Sequence, residues 1–237
     1  MSFIRPALCA LVLLPCLAHA DDSDKALAAE CAKVPGYIQQ GEAAYKARQY
    51  AKAQDAFVLQ VAWGETCRLD DKFLATAYNN VALALIRLGD YRKASAWLSI
   101  APDDPKSIYN LGLIKDKLAA LPVPASPAGV YWQYAGMGAW NTLTLKAEKT
   151  ANFYKADFEG YYFGMMGLWS GPNMGEFSEP VQLKENKGVI ALRDEDYIHC
   201  DINLTVVPNG LDLQTDQPEQ CGFGHNVSAS GHYMRVE

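Results

Sequence analysis

Leu121-Pro122-Val123-Pro124-Ala125-Ser126-Pro127-Ala128 divides this chain into two halves of different composition. Alternating prolines cannot donate the backbone hydrogen bonds of a helix, and they favour an extended, semi-rigid spacer. The half before this segment is rich in Ala, Leu, Lys and Gln, which are good helix formers. Thirteen of the 18 glycines follow residue 128, among runs of alternating apolar and polar residues. The sequence therefore predicts an α+β protein with a helical domain (21–121), a linker (122–128) and an all-β domain (129–237).

The helical half contains one short pattern twice. Arg48-Gln49-Tyr50-Ala51-Lys52-Ala53 precedes Phe57, and Gly89-Asp90-Tyr91-Arg92-Lys93-Ala94 precedes Trp97. A turn followed by an aromatic residue, an alanine and a second large apolar residue indicates a repeated helix–turn–helix unit. The two copies lie 41 residues apart, so we expect an extension in the first unit, at Trp63-Gly64-Glu65-Thr66-Cys67.

This pattern resembles the tetratricopeptide repeat over about residues 36–120. The chain from Tyr109 to Leu121 matches the capping helix of such arrays. Gly41, Ala82 and Gly112 are small, and we expect helices to approach closely at all three positions. An ordinary helical bundle with coincidental spacing is the alternative.

The resemblance implies a concave groove, lined by the first helix of each unit, that binds another protein or peptide. The residues expected to face it are Ile38, Glu42, Tyr45, Asn79, Leu83, Ile86, Tyr109 and Leu113. This set lacks the lysines and arginines that clamp a peptide carboxylate in some relatives, which disfavours that ligand. The alternative is that the helices only pack against the β half.

Period-two alternation in the second half predicts about six to eight antiparallel strands, arranged as a small barrel or sandwich. In the clearest run, 197–207, Cys200, Ile202 and Leu204 share one face. Pro208-Asn209-Gly210 predicts a hairpin after this strand. Other strands are expected around Leu143, Phe158, Val181, Ile190 and Tyr233.

Two further segments of this half point to binding. The segment 221–233 resembles the closing segment of small secreted bacterial β-domains, some of them lysozyme-inhibitor-like, although the reactive-loop motif of those inhibitors is not found here. The resemblance implies a role as an inhibitor or immunity factor. Residues 160–175 are rich in Gly, Met and aromatic residues, so we expect an exposed contact loop that includes Trp169 and Met174.

Residues 1–20 have the features of a secretory signal peptide. Arg5 supplies the positive charge, 7–17 are mostly apolar, and Ala18-His19-Ala20 fits a signal-peptidase site. Pro15 replaces the small residue that a lipoprotein signal places before its cysteine, which disfavours lipid anchoring through Cys16. No later segment has the length of a transmembrane helix. We therefore expect a periplasmic or secreted protein without a transmembrane segment.

Four cysteines remain after the expected cleavage, and an even number in an exported chain predicts disulfides. Of the three pairings, Cys31–Cys67 and Cys200–Cys221 are favoured because each bridge then stays within one half of the chain. A net charge of −6 makes nucleic acid a poor partner.

No catalytic set, cofactor or metal site stands out in the sequence. The first hypothesis is a non-enzymatic, exported protein-binding protein: an adaptor, an inhibitor or an immunity factor. The alternative is a cell-envelope hydrolase that uses Asp194-Glu195-Asp196 with His199 for acid–base chemistry. A second alternative is a metal-handling protein, because His199, Cys200, Cys221 and His225 are the ligand types of zinc. A Cys200–Cys221 disulfide would remove two of those ligands.

Overall fold

The structure, a computed structural model, describes residues 18–164, 171–194 and 197–237. The helices are α1 (Ala18–Cys31), α2 (Val34–Lys46), α3 (Tyr50–Thr66), α4 (Asp71–Leu88), α5 (Tyr91–Leu98) and α6 (Pro105–Ala119). The strands are β1 (Gly129–Gly136), β2 (Ala139–Ala147), β3 (Phe153–Tyr162), β4 (Asn173–Gln182), β5 (Lys187–Arg193), β6 (His199–Val207), β7 (Gly210–Thr215) and β8 (Gly231–Arg235). The predicted signal peptide lies outside the described residues, except for 18–20 at the start of α1.

Local capping residues set the ends of α4 and α6. The carboxylate of Asp70 accepts a hydrogen bond of 2.8 Å from the backbone N–H of Phe73, which caps the first turn of α4. Gly89 ends α4 with φ of 88°, a left-handed conformation that glycine adopts without steric cost. Asp104 caps α6 in the same way as Asp70, and Pro105 occupies the first helical position, where no N–H is needed.

Each helix packs on its neighbour along the chain from α2 to α6, and α6 also contacts α4. A Cβ atom at Gly41 would overlap the ring of Phe57, so glycine permits the close approach of α2 and α3. Ala82 is fully buried. The expectation for Gly112 is wrong: it is exposed, and a Cβ there would meet no atom within 4 Å. The reason is that α6 packs on the other helices through different residues, among them the fully buried Ile114.

The expected extension of the first unit is helical. Helix α3 has 17 residues whereas α5 has 8, and the additional turns run through Thr66. Cys67 follows immediately and forms a disulfide with Cys31, with Cα atoms 5.8 Å apart, so α1 is fixed to the end of α3. Membership of the tetratricopeptide repeat family stays a prediction.

The strands form one antiparallel sheet in the order β4-β3-β2-β1-β8-β7-β6-β5, which curls into a nearly closed barrel. The chain is thus α+β, as predicted. The alternation of β6 is also as predicted: Cys200, Ile202 and Leu204 point into the core, and His199 is exposed. Strand β1 was not predicted from the sequence. It pairs with β2 on one side and with β8 on the other.

The edge strands β4 and β5 face each other across a seam of the barrel. Next to the turn that connects them, the described residues form one isolated β-bridge, between Lys184 and Lys187. The segment after Cys221 lies against the β4 edge of this seam. The backbone N–H of Gly224 donates to the carbonyl of Met174 at 2.8 Å, and the Asn173 side chain donates to the carbonyl of His225 at 2.8 Å. The disulfide Cys200–Cys221 ties this segment to β6. It therefore holds the covering segment in place.

Both disulfides join the cysteines in the predicted pairs, and such bridges are compatible with an oxidising, extracytoplasmic compartment. No helix within 18–164, 171–194 and 197–237 has the length and apolar character needed to cross a membrane.

Candidate functional site

A continuous groove runs along the helical half on the side formed by α2, α4 and α6. It consists of two adjoining cavities of about 130 and 430 Å³ that share Asn80 and Leu83. The first is also lined by Tyr45 of α2, and the second by Tyr109 of α6. The groove is therefore apolar along its floor, with Glu42, Lys46 and Lys106 at its edges.

The structure brings five of the ten predicted binding residues into this groove: Glu42, Tyr45, Asn79, Leu83 and Tyr109. Ile86 packs against the helical core. Ile38 lies half-buried on α2, and Leu113 is 53% exposed on α6. Met174 lies on β4, in a strand and not in the expected loop, because β4 already begins at Asn173. Trp169 lies outside the described residues.

Asn79 has a structural role, because its amide is used entirely within the protein. Its Nδ2 donates to the carbonyl of Ala75 at 2.8 Å and to the hydroxyl of Ser107 at 2.9 Å, and its Oδ1 accepts from Asn110 at 2.7 Å. These buried bonds fix α6 on α4. The amide available to a ligand belongs to the next residue, Asn80, which the sequence reasoning missed.

The place of Asn80 on the groove side of α4 could have been predicted from helical spacing. Asn80 lies three residues before Leu83 and four after Thr76, so all three share a face of α4. Its Nδ2 donates to Gln60 at 3.2 Å, and within the part of the chain that the structure describes its Oδ1 accepts no hydrogen bond. This carbonyl can accept a hydrogen bond from a bound ligand.

Replacing Asn79 by alanine is expected to lower the free energy of unfolding by about 2–3 kcal/mol, because it leaves Ser107 and Asn110 buried without their partner. Urea unfolding followed by circular dichroism measures this change. Gln40→Ala, which removes an exposed side-chain amide from α2, is the control and should cost less than about 0.5 kcal/mol. Equal losses in the two variants would contradict the structural role of Asn79.

The opposite side of the helical half is covered by the barrel. Trp97 of α5 lies edge-on to Trp140 and to Tyr134, with ring centroids 5.2 and 5.9 Å away. Next to them, the Glu65 carboxylate of α3 accepts hydrogen bonds from the hydroxyls of Tyr78 (2.7 Å) and Tyr134 (2.5 Å). It also accepts one from the backbone N–H of Met137 in the β1–β2 turn. The described residues of the barrel therefore cover the α3 and α5 side and do not cover the groove.

Because of these contacts, the free energy of unfolding depends on pH in the alkaline range. Burial and the Glu65 carboxylate raise the pKa of both Tyr78 and Tyr134 above their ordinary value. The folded state therefore keeps protons that the unfolded state releases above about pH 10. The resulting stabilisation is complete below that pH and is lost as pH rises towards the folded-state pKa values.

We expect Tyr134→Phe to make the fall of unfolding free energy above pH 10 shallower by up to about 1.4 kcal/mol per pH unit. The slope is the relevant quantity, because the substitution also lowers stability at neutral pH by removing a hydrogen bond. Denaturant unfolding at a series of alkaline pH values measures it. Tyr109→Phe removes a tyrosine that is 67% exposed and should leave the slope unchanged. Equal slopes for wild type and Tyr134→Phe would contradict the assignment of this pH dependence to Tyr134.

The barrel offers no comparable internal site in the described residues. Its interior is filled by side chains that are fully buried or nearly so, including Tyr131, Phe158, Leu143, Ile190 and Tyr233. A barrel packed in this way has no room for a ligand along its axis.

Asp194, the first residue of the acidic run proposed for catalysis, follows directly after β5. The Asp194 carboxylate accepts hydrogen bonds from the backbone N–H groups of Tyr197 (2.6 Å) and Ile198 (2.7 Å). Glu195 and Asp196 lie outside the described residues. His199 is exposed at the start of β6.

The zinc ligands considered in the sequence are not available together. Cys200 and Cys221 are joined in a disulfide, so neither provides a thiolate, and only His199 and His225 remain. Within the described residues, no group of three or more His, Cys, Asp or Glu side chains is arranged to hold a metal ion.

The groove is thus the feature with a ligand-accessible apolar floor, an available amide and no covering element among the described residues. Comparison with known proteins finds no family model, no curated protein and no solved structure that matches the chain.

Proposed function

We propose that this chain is a non-enzymatic, exported binding protein whose groove holds an extended segment of another protein. The observation that carries the proposal is the asymmetry of the helical half. Its α3 and α5 side is buried by the barrel through Trp97 and Glu65, whereas no described residue of another element covers the α2, α4 and α6 side. A face that is concave, apolar and uncovered is typical of a binding surface.

The groove has the chemistry that an extended peptide requires. Leu83 is half-buried in its floor and does not belong to the helical core, so it can pack against an apolar side chain of the partner. Tyr45 and Tyr109 stand on either side, and tyrosine provides a large contact area at low conformational cost. The Asn80 carbonyl can accept a hydrogen bond from the peptide backbone, which would hold the segment extended.

The repeat pattern adds independent support. Arrays that the sequence resembles use the first helix of each unit for partner binding, and under that resemblance α2, α4 and α6 would be the first helices. The expected signal peptide would bring the protein to partners in the periplasm or outside the cell.

Selection from a library of random peptides displayed on phage tests the proposal and does not require the partner to be identified first. Purified wild-type protein should enrich a family of sequences that share apolar positions. A synthetic peptide of the enriched sequence should shift the backbone amide signals of α2, α4 and α6 in NMR spectra. Enrichment of nothing, or a peptide that shifts only barrel signals, would exclude the groove as the binding site.

A further inference from the structure

A separate cavity, of about 440 Å³, lies where the helices, the linker and the barrel meet. Its walls come from α5, the end of α6, the linker and strand β8, and they include Ser95, Leu118, Leu121, Val123 and Met234. The volume falls in the range of small-molecule sites, which is about 300–1,000 Å³. None of the residues that line the groove lines this cavity.

The charge of this cavity is positive, although the chain as a whole is acidic. Arg92 and Arg235 line it, and no aspartate or glutamate does. Within the described residues neither arginine forms an ion pair. Glu237, which follows β8, is paired with Lys93 at 2.6 Å. An unneutralised guanidinium beside a concave surface favours an anion.

The two arginines have different tasks. Arg235 holds the linker, because its Nη1 donates to the carbonyl of Ser126 and to the hydroxyl of Tyr131, both at 3.1 Å. Arg92 donates a single hydrogen bond, at 3.2 Å, to the carbonyl of Pro122. A guanidinium has five N–H donors, so Arg92 keeps most of its capacity for a ligand.

The neutral lining completes the description of the ligand. Ser95 and Asn209 also line the cavity, and within the described residues neither side chain makes a hydrogen bond, so both can contact a polar head group. Leu118, Leu121 and Met234 form an apolar wall beside them. Donors at one place and aliphatic side chains next to them suit a molecule with an acidic head and an apolar tail.

We propose that this cavity binds a small anionic amphiphile, with one acidic head group at Arg92 and a short aliphatic tail along Leu118, Leu121 and Met234. The head group is a carboxylate or a phosphate, which share the geometry that a guanidinium recognises. The site is independent of peptide binding in the groove, so either can be correct without the other.

Isothermal titration calorimetry with hexanoate, octanoate, decanoate and decyl phosphate tests this site on the full exported chain. Each added methylene should raise the affinity by about fourfold until the tail exceeds the apolar wall. Decanol lacks the charge and should bind at least about tenfold more weakly than the better of the two decyl anions. The comparison of decanoate with decyl phosphate identifies the head group.

Two variants locate the site. Arg92→Met keeps the aliphatic stem and should weaken decyl-anion binding by at least about tenfold, whereas Arg87→Met, an exposed arginine of α4, should not. Val123 is 91% exposed, so Val123→Asp adds a negative charge beside the cavity without a risk to folding, and it should also weaken binding. Val189→Asp adds the same charge on β5 as its control. No binding of either anion, equal binding of decanol, or affinities unchanged in both Arg92→Met and Val123→Asp would overturn the proposal.

Discussion

Replacing Trp97 by alanine lowers the free energy of unfolding by about 3–5 kcal/mol, the largest stability effect that we expect from one substitution. Trp97 is 2% exposed and belongs to the helical core, yet its ring also contacts Tyr134 and Trp140 of the barrel. Its loss therefore leaves a cavity at the place where the two halves meet. Aromatic pairs add about 0.5–1.5 kcal/mol each beyond the area that they bury.

Chemical denaturation with two probes measures this effect: circular dichroism for the helices and near-ultraviolet signals for the aromatic contacts. Trp63→Ala is the matched control, because Trp63 lies half-buried on α3, and it should cost no more than about half as much. In wild type the two probes should give one transition. A Trp97→Ala protein as stable as the Trp63→Ala variant would show that the halves are not held together by this cluster.

Leu83→Glu should weaken binding of the selected peptide by about thirtyfold or more. The substitution removes an apolar contact in the floor of the groove and places a charge where the partner would exclude water. Leu83 does not belong to the helical core, so the fold should tolerate the change. Fluorescence anisotropy with a labelled copy of the selected peptide gives the dissociation constant.

Leu88→Glu is the control on the same helix. Leu88 is 43% exposed and lies five residues after Leu83, which places it about 140° around the helix axis. The affinity of the Leu88→Glu variant for the selected peptide should stay within about twofold of wild type. Equal losses in the two variants would mean that added negative charge, and not the groove, determines binding.

Features that depend on local chemistry could be predicted from the sequence. The alternation of β6 follows from one face meeting the core and the other meeting solvent. The two disulfides follow from cysteines that lie in pairs within each half of the chain. The extent of α4 is set by Asp70 and Gly89, whose capping preferences depend on their own side chains.

Strand β1 was missed for a physical reason. Tyr131 on one face is buried in the barrel, while Trp132 and Tyr134 on the other face contact aromatic residues and the helices. A strand with apolar partners on both faces loses the period-two pattern by which strands are recognised.

Only part of the site could be predicted from the sequence, because the rotation of each helix about its axis must be known to within one residue. Asn79 and Asn80 are adjacent and chemically identical, and only the position of α6 decides which amide is buried. The hydrogen bonds of Glu65 with Tyr134 and Met137 join residues about 70 positions apart in the chain. One sequence carries no signal for such a contact, so the side of the helices that the barrel covers had to come from the structure.

Site-specific photo-crosslinking in cells that produce the protein tests most directly whether the groove is the binding surface. A photoreactive amino acid is placed at Tyr109, which is 67% exposed in the groove, or at Tyr197, which is 85% exposed on the barrel. We expect a covalent adduct with a partner protein from position 109, its loss when Leu83→Glu is added, and none from position 197. An adduct from position 197 alone, or one from position 109 that survives Leu83→Glu, would contradict the account.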